Sequence, residues 1–329
     1  MSADIRYSVI VPMYNEEEVI EATYSRLSEV METLDERYEL IFVNDGSRDR
    51  TRQVVLDLCR NDPRVRLLSF SRNFGHQIAI SAGMDHAQGQ AVIVIDADLQ
   101  DPPEVIPEMI RLWKTGYDVV YGQRIKRNGE TLFKKWSAAL FYRLFRSLTS
   151  FEIPVDTGDF RLIDRKVCDT LKGLKEKNRY VRGLVSWIGF RQTAVRYVRE
   201  QRWAGETKYP LRKMLRFASD AIVSFSFKPL RLASYLGFTL SGLSFLYLMV
   251  VLWQKLFTDT TIVGWASLIA LNLFFNGIML MILGIIGEYI GRIYDESKGR
   301  PLYVLQEKIG FDEHAASEPN RIAEKIVHM

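Results

Sequence analysis

Two long runs without a charged side chain, residues 232–253 and 262–287, constrain the fold of this chain more than any other feature. As α-helices rising ~1.5 Å per residue they would reach about 33 and 39 Å, enough to cross a hydrocarbon core of about 30 Å. We therefore predict a hairpin of two transmembrane helices, at about 232–254 and 262–288. Two buried helices of a soluble core are the alternative, but uncharged runs of this length are rare in soluble folds.

The basic residues that flank these runs predict an orientation. Lys228 and Arg231 precede the first run, and Arg292 and Arg300 follow the second, while the connection between the runs is short. Because positive residues favour the cytoplasmic side, both termini and the domain before the hairpin are predicted to be cytoplasmic. The net charge of +4 is too small to indicate a nucleic-acid partner.

Upstream of the hairpin, the first 125 residues alternate between strand and helix patterns. The predicted strands are Tyr7–Pro12, Tyr38–Val43, Val65–Phe70, Ala91–Ile95 and Asp118–Tyr121. This alternation predicts an open α/β sheet, mostly parallel, with helices on both faces. Two later strands, Phe160–Ile163 and Thr193–Val198, are predicted to extend the sheet in antiparallel orientation. Open sheets of this kind bind ligands beyond the carboxyl ends of their strands.

A pair of carboxylates follows the fourth predicted strand. Asp96 and Asp98 are two residues apart, so on an extended chain they face the same side. Two carboxylates this close favour a cation between them, and with Gln100 they offer the oxygen ligands that Mg²⁺ or Mn²⁺ prefers. Since Mg²⁺ often completes its shell with phosphate oxygens, the implied ligand is a diphosphate. The alternative is an Asp-rich turn that leads into the next helix.

Acidic residues also follow the first two strands. Glu16 lies beyond the first, and Asp45 lies beyond the second, in Asn-Asp-Gly-Ser, where Gly46 permits a tight turn. Carboxylates at this edge can accept hydrogen bonds from ribose hydroxyls and base N–H groups, so a nucleoside site is predicted. No Gly-x-Gly-x-x-Gly or phosphate-loop lysine motif occurs in the sequence, which disfavours dinucleotide cofactors and ATP-loop chemistry.

Several motifs in combination resemble family 2 glycosyltransferases with the GT-A fold. These motifs are Pro12-x-Tyr14-Asn15-Glu16, Asn44-Asp45-Gly46-Ser47, Ser71-Arg72-Asn73-Phe74-Gly75-His76, Asp96-Ala97-Asp98-Leu99-Gln100-Asp101-Pro102-Pro103 and Gly122-Gln123-Arg124. The hairpin with Gly291-Arg292-Ile293-Tyr294 and Gly299-Arg300-Pro301-Leu302-Tyr303 resembles bacterial polyisoprenyl-phosphate glycosyltransferases, relatives of dolichol-phosphate mannose synthase. The resemblance covers most of residues 5–310. It implies transfer of a sugar from a nucleotide donor to a membrane lipid phosphate, which in bacteria is undecaprenyl phosphate.

The resemblance also implies roles for individual residues. The nucleotide-binding set is Pro12, Tyr14, Glu16, Asp45 and Asp96; the metal set is Asp98, Asp96 and Gln100; and the catalytic set is Asp159, Asp98 and Arg124. Asp159 resembles the position assigned as the base of the family. A lipid phosphate has a second pKa near ~6 and is already ionised, so Asp159 is expected to orient the acceptor or a cation. A turn-capping role for Asp159 is the alternative.

Basic side chains suited to phosphate are the candidates to hold the lipid headgroup. They are Arg124, Lys134, Lys135 and Arg202. The two lysines lie on a predicted helix and are alternatively part of its solvated face. Processive members of the wider family carry Gln-x-x-Arg-Trp, whereas here the glutamine is shifted, in Arg199-Glu200-Gln201-Arg202-Trp203. That shift and the presence of only two spans disfavour polysaccharide synthesis.

The predicted organisation is a GT-A domain at 1–209, an amphipathic juxtamembrane helix at 210–230, the hairpin at 231–291 and a cytoplasmic segment at 292–329. An ordinary linker helix is the alternative for the second segment. The predicted reaction is inverting transfer of glucose from UDP-glucose to polyprenyl phosphate at a bacterial inner membrane. GDP-mannose or a UDP-amino sugar such as formamido-arabinose is the alternative donor, and a non-catalytic membrane subunit is the alternative of another class. Whether the chain forms a homo-oligomer is left open by the sequence.

Overall fold

The computed structural model describes residues 5–125, 157–174, 176–200, 228–257 and 264–311. The strands in these ranges are β1 (Tyr7–Met13), β2 (Tyr38–Asn44), β3 (Val65–Phe70), β4 (Ala91–Val94), β5 (Val119–Arg124), β6 (Thr157–Asp164), β7 (Gln192–Tyr197) and β8 (Leu305–Ile309). The α-helices are α1 (Ile20–Glu32), α2 (Thr51–Asn61), α3 (His76–His86), α4 (Ile106–Lys114), α5 (Arg165–Gly173), α6 (Val181–Trp187), α7 (Lys228–Phe257) and α8 (Trp265–Ser297). The strands form one sheet in the order β7-β5-β6-β4-β1-β2-β3-β8.

The centre of the sheet is parallel and buried on both faces. Strands β4, β1, β2 and β3 pair in parallel, and every residue of β1, β2 and β3 is buried. One face packs against apolar residues of α1, α2 and α4, and the other packs against α3, α5 and α6. Near-continuous apolar strands are typical of a sheet covered on both sides. The predicted α/β class, mostly parallel and followed by a helical hairpin, is confirmed.

The two later strands enter the sheet differently from one another. Strand β6 inserts between β4 and β5 and is antiparallel to both, as predicted. The antiparallel prediction for β7 is wrong, because β7 pairs with β5 in parallel. Helix α6 begins beside the first residue of β6 and runs away from it. The residues after α6 therefore lie at the opposite end of the sheet, where β5 begins. The strand that follows therefore runs in the direction of β5.

Strand β8 comes from the far side of the helical hairpin. It pairs antiparallel with β3 and covers an edge that would otherwise present unpaired backbone groups. Its side chains alternate between half-buried and exposed, which is the pattern of an edge strand. The sequence contains this alternation, in Leu305-Gln306-Glu307-Lys308-Ile309, but no strand was predicted there.

Helices α7 and α8 contact each other and expose large apolar side chains along their length. Among the residues that the structure describes, the segment Phe274–Ser297 of α8 is long and apolar enough to cross a membrane, with a mean hydropathy of 1.6. The predicted juxtamembrane helix at 210–230 lies outside the described residues except for its last three positions, which begin α7.

Candidate active site

A pocket of about 520 Å³ lies where the carboxyl ends of β1, β2 and β4 meet the beginning of β6. Because β6 is antiparallel to its neighbours, its first residues reach the same edge as the last residues of the parallel strands. The pocket is lined by Pro12, Met13, Tyr14, Glu16, Asp45, His76, Ala79, Asp96, Ala97, Asp98, Gln100, Arg124, Asp159, Arg182 and Arg199. Acids and arginines thus share one cavity.

The loops that follow β1 and β2 are bonded to each other. The Asn15 backbone N–H donates to Ser47 Oγ (3.0 Å), and the Asn15 side chain accepts from the Arg48 N–H (2.9 Å). Gly46 has a φ of +67°, and a Cβ at that position would lie 2.5 Å from the Arg72 carbonyl carbon. Only glycine fits such a contact, so the Asn-Asp-Gly-Ser turn packs directly on the loop that follows β3.

Asp45 occupies this contact between loops. Its Oδ1 accepts from the Phe74 N–H (2.6 Å), and its Oδ2 accepts from the Gly75 N–H (3.0 Å). Burial raises the pKa of the Asp45 carboxyl, and these backbone donors offset part of that effect. Asp45 therefore fixes the start of α3 and also lines the pocket, and its nucleotide-binding role stays a prediction.

The two carboxylates after β4 lie on a tight loop. Asp98 Oδ1 accepts from the Gln100 N–H (3.2 Å), and Leu99 between them adopts a left-handed φ of 54°. Asp96 Oδ1 is buried and accepts no hydrogen bond from the described residues, while His76 Nε2 lies 3.4 Å away. Burial raises the pKa of Asp96 to about 6, against the lowering effect of His76.

These residues fit a divalent cation that is only partly held by protein. The buried, under-bonded Asp96 oxygen and the neighbouring Asp98 carboxylate are hard oxygen donors, which Mg²⁺ and Mn²⁺ prefer. Within the described part of the chain, no three histidine, cysteine or acidic residues group together as a complete metal site. Two carboxylates suit a cation whose remaining ligands come from a bound phosphate group and water.

Asp159 at the start of β6 is held by cationic and amide donors. Arg182 donates two hydrogen bonds to its carboxylate, from Nε to Oδ1 (2.8 Å) and from Nη2 to Oδ2 (3.1 Å). Gln77 Nε2 donates a third, to Oδ2 (3.1 Å). Burial alone would raise the pKa of Asp159, but Arg182 and His76 outweigh it and hold the pKa well below its usual range. A carboxylate bonded in this way is a poor proton acceptor.

His76 bridges the two acidic positions from the first turn of α3. Its Nε2 lies 3.2 Å from Asp159 Oδ2 and 3.4 Å from Asp96 Oδ1. Burial lowers the pKa of the imidazole, but the hydrogen bond to Asp159 and the charges of both acids outweigh burial and raise the pKa to about 9. The imidazole is therefore protonated at neutral pH and attracts both Asp96 and Asp159.

Arg124, at the end of β5, reaches the pocket across a glycine. Its Nη2 lies 3.2 Å from Asp101 Oδ2, and its Nε lies 3.3 Å from the Tyr197 hydroxyl. A Cβ on Gly158 would meet Nη2 at 2.6 Å, so glycine at that position leaves room for the guanidinium. Asp101 is fully buried and also faces Arg199 at 3.7 Å. Arg124 is thus oriented by a buried carboxylate while it remains about a quarter exposed.

The structure gathers the predicted site residues that it describes into this one pocket. Lys134, Lys135 and Arg202 lie outside the described residues. Some residues that line the pocket or contact its lining were not predicted as site residues: His76, Gln77, Asp101, Arg182 and Arg199. His76 and Asp101 lie within motifs that carried the resemblance, whereas Arg182 follows no motif.

The chain matches two family models and several curated proteins. Residues 8–172 match the glycosyl transferase family 2 model, and residues 228–293 match the GtrB C-terminal hairpin. An uncharacterized glycosyltransferase of Bacillus subtilis (strain 168) is 64% identical over 95% of this chain and 97% of its own length. The bactoprenol glucosyl transferase of Shigella phage SfV is 41% identical over 92% of this chain and 98% of its own length. With the pocket of acids and arginines at the edge of its α/β sheet, this chain belongs to glycosyl transferase family 2.

Proposed function

We propose that this chain transfers glucose from UDP-glucose to the phosphate of a polyprenyl lipid, undecaprenyl phosphate, at the cytoplasmic face of a bacterial inner membrane. The proposal is supported by relatives that are named bactoprenol glucosyl transferases and are 41% identical to this chain over most of its length. It is further supported by the GtrB hairpin match and by the apolar α8, which together favour a hairpin embedded in the membrane. The basic residues that flank the hairpin favour a cytoplasmic position for both termini.

The observation that carries the proposal is the distribution of charge around the pocket. Asp96 and Asp98 lie at the end of β4, while Arg124, Arg182 and Arg199 line the same cavity. Acids that fit a cation suit the diphosphate of a nucleotide sugar, and arginines suit a second phosphate directly. A site that must bring a nucleoside diphosphate and a lipid phosphate together needs both kinds of group.

The reaction is a displacement at the anomeric carbon of glucose. An oxygen of the lipid phosphate forms the new bond to that carbon from the face opposite UDP. The bond from the carbon to the β-phosphate oxygen breaks, and its electron pair leaves with UDP, so the configuration inverts. The phosphate nucleophile is already ionised near neutral pH, since its second pKa is near ~6. No side chain has to remove a proton.

The residues of the chain supply position and charge for this displacement. Asp98, with Asp96 and Gln100, would hold Mg²⁺ or Mn²⁺, and such a cation, when bound, stabilises negative charge on the departing diphosphate. Arg124 binds the acceptor phosphate, with its guanidinium oriented by Asp101. Asp159 acts by fixing Arg182 and His76 in the pocket wall, because its oxygens are already bonded to donors.

The test is glucosyl transfer by the full-length protein in vesicles that contain undecaprenyl phosphate. Radiolabelled UDP-glucose, GDP-mannose and a UDP-amino sugar are compared as donors with Mg²⁺ and with Mn²⁺. We expect label from UDP-glucose to enter a product that extracts into organic solvent, together with one equivalent of UDP. Transfer from GDP-mannose alone would reassign the donor, and no transfer from any donor would support a non-catalytic role.

A substitution at Arg124 tests its assignment to the acceptor. Arg124→Ala is expected to raise the KM for undecaprenyl phosphate about tenfold, because a charge-assisted hydrogen bond to phosphate is lost, and to change the KM for UDP-glucose far less. Steady-state kinetics with each substrate varied in turn measure the difference. Arg111→Ala is the matched control, since Arg111 lies on the exposed face of α4 and pairs only with its neighbour Glu108 among the ion pairs observed. Equal increases in both KM values would contradict the assignment.

A further inference from the structure

The segment that follows α8 rejoins the eight-stranded sheet within a few residues. We name residues 298–311 the C-terminal strap. The strap contains β8, and its Val304 carbonyl accepts from the Ser71 N–H (3.0 Å), which continues the β3–β8 pairing into the loop beyond β3. Glu307 of the strap also pairs with Arg52 on α2 at 2.5 Å. The end of the apolar hairpin is thereby joined to the edge of the sheet at β3, the neighbour of β2, and β2 leads into Asp45 of the pocket.

Tyr303 makes the most specific contacts of the strap. Its ring stacks on Phe70, the last residue of β3, with centroids 5.2 Å apart and planes at 19°. Its hydroxyl donates to Asp85 Oδ2 at 3.0 Å. Asp85 lies on α3, the helix whose first residue is His76. One side chain of the strap therefore contacts both the strand and the helix that flank the loop at 71–75.

The contacts continue from Tyr303 to the predicted nucleotide site. Phe70 meets Phe74 edge-on, with centroids 5.6 Å apart. The backbone N–H of Phe74 donates to Asp45 Oδ1, which holds that carboxylate in the pocket wall. The path from the strap to Asp45 thus consists of two ring contacts and one backbone hydrogen bond.

Much of the loop at 71–75 is exposed to solvent, apart from its contact with the Gly46 turn. Its first three residues, Ser71 to Asn73, are exposed, and Gly75 has a φ of +108°. Segments with few buried contacts open easily unless neighbouring groups hold them. This loop is held by Asp45 and the Gly46 turn on the pocket side and by the Val304 carbonyl on the strap side. Tyr303 acts on it through Phe70, which contacts Phe74.

We propose that Tyr303 is a positioning residue that orders the loop at 71–75, so that the strap sets the geometry of Asp45 for the nucleotide sugar. The inference rests on the proposed function for its substrate but on the structure for the ordering of the loop. The strap thereby makes donor binding depend on a segment that the chain reaches only after the apolar hairpin.

The experiment compares three variants of the full-length protein in vesicles. Tyr303→Ala removes the ring and the hydroxyl, Tyr303→Phe keeps the ring, and Gln306→Ala alters an exposed side chain of the same strap. For Tyr303→Ala we expect faster amide hydrogen exchange at residues 71–75 and a KM for UDP-glucose raised about tenfold, with kcat within about twofold. Tyr303→Phe should recover most of the KM, and Gln306→Ala should match the unsubstituted protein in both measurements.

Two further measurements keep the inference separate from the proposed function. Hydrogen exchange needs no substrate, so it tests the ordering of the loop even if the unsubstituted protein transfers no glucose. Should Tyr303→Ala unfold the whole domain, Tyr303→Phe and Asp85→Ala each remove the hydrogen bond between these two side chains with the ring in place, and both should speed exchange at 71–75 by a similar, small factor. Unchanged exchange at 71–75 in every variant at Tyr303 and Asp85 would overturn the inference.

Discussion

Asp98→Asn is expected to lower glucosyl transfer at least about 100-fold while the protein keeps its fold. Asparagine has nearly the same shape as aspartate, so the loop and its Gln100 contact are preserved, but the pocket loses one of its two neighbouring carboxylate charges. A neutral amide is a weak ligand for Mg²⁺ or Mn²⁺ next to a diphosphate. Initial rates with UDP-glucose and undecaprenyl phosphate, at several concentrations of cation, measure the loss.

The matched control is Asp57→Asn. Asp57 lies on the exposed face of α2 and pairs with Arg60 one turn away, so its substitution should leave the rate within about twofold, as surface pairs contribute little. Removal of divalent cations with a chelator should reduce the unsubstituted protein to the rate of Asp98→Asn. Turnover that persists in the presence of chelator, or that survives Asp98→Asn, would refute a divalent cation at this pair.

Arg182→Gln is expected to destabilise the catalytic domain by about 3 kcal/mol, because it leaves the buried Asp159 charge without its main partner. In a domain of about 200 residues, such a loss lowers the thermal midpoint by roughly 6–12 °C. Thermal unfolding of the purified protein, followed by far-UV circular dichroism, measures the shift. Transfer activity should fall as well, since Arg182 lines the pocket.

The double variant Arg182→Gln with Asp159→Asn separates the two effects. Two neutral amides need no counter-charge, so the pair should recover much of the lost stability, although activity should stay low. Asp159→Asn alone should cost less stability, because Arg182 keeps its bond to the Thr157 carbonyl at 3.0 Å. If the losses of the single variants simply added in the double variant, the two side chains would not be coupled in the folded protein.

The sequence was sufficient to predict which strand ends carry the acids of the site. Glu16, Asp45 and the pair Asp96 and Asp98 each follow an apolar strand, and parallel strands bring their carboxyl ends to one edge. The structure places these residues in one pocket because β1, β2 and β4 are neighbours in the sheet. Local pattern and the rule for parallel sheets were enough for this half of the site.

The other half depends on long-range geometry that no local pattern reports. Arg182 meets Asp159 across 23 residues, and Gln77 meets it across 82, only because β6 inserts antiparallel beside β4. Neither the insertion nor the parallel direction of β7 follows from strand propensity. The insertion is a pairing between strands far apart in the chain, and the direction of β7 depends on how α5 and α6 return the chain. Strand β8 was missed for a related reason: its five residues are separated from the other strands by the whole hairpin.

The position of β8 in the chain has a consequence for biosynthesis. Ribosomes synthesise β3 long before β8, and both apolar helices emerge between them. Proteins fold from the N-terminal side as they are made. The edge of the nascent sheet at β3 therefore has no paired strand until the hairpin and β8 have left the exit tunnel. If the hairpin enters the bilayer as it emerges, β8 pairs with β3 only after insertion, and on the proposed role of the strap newly made chains would bind the nucleotide sugar weakly until then.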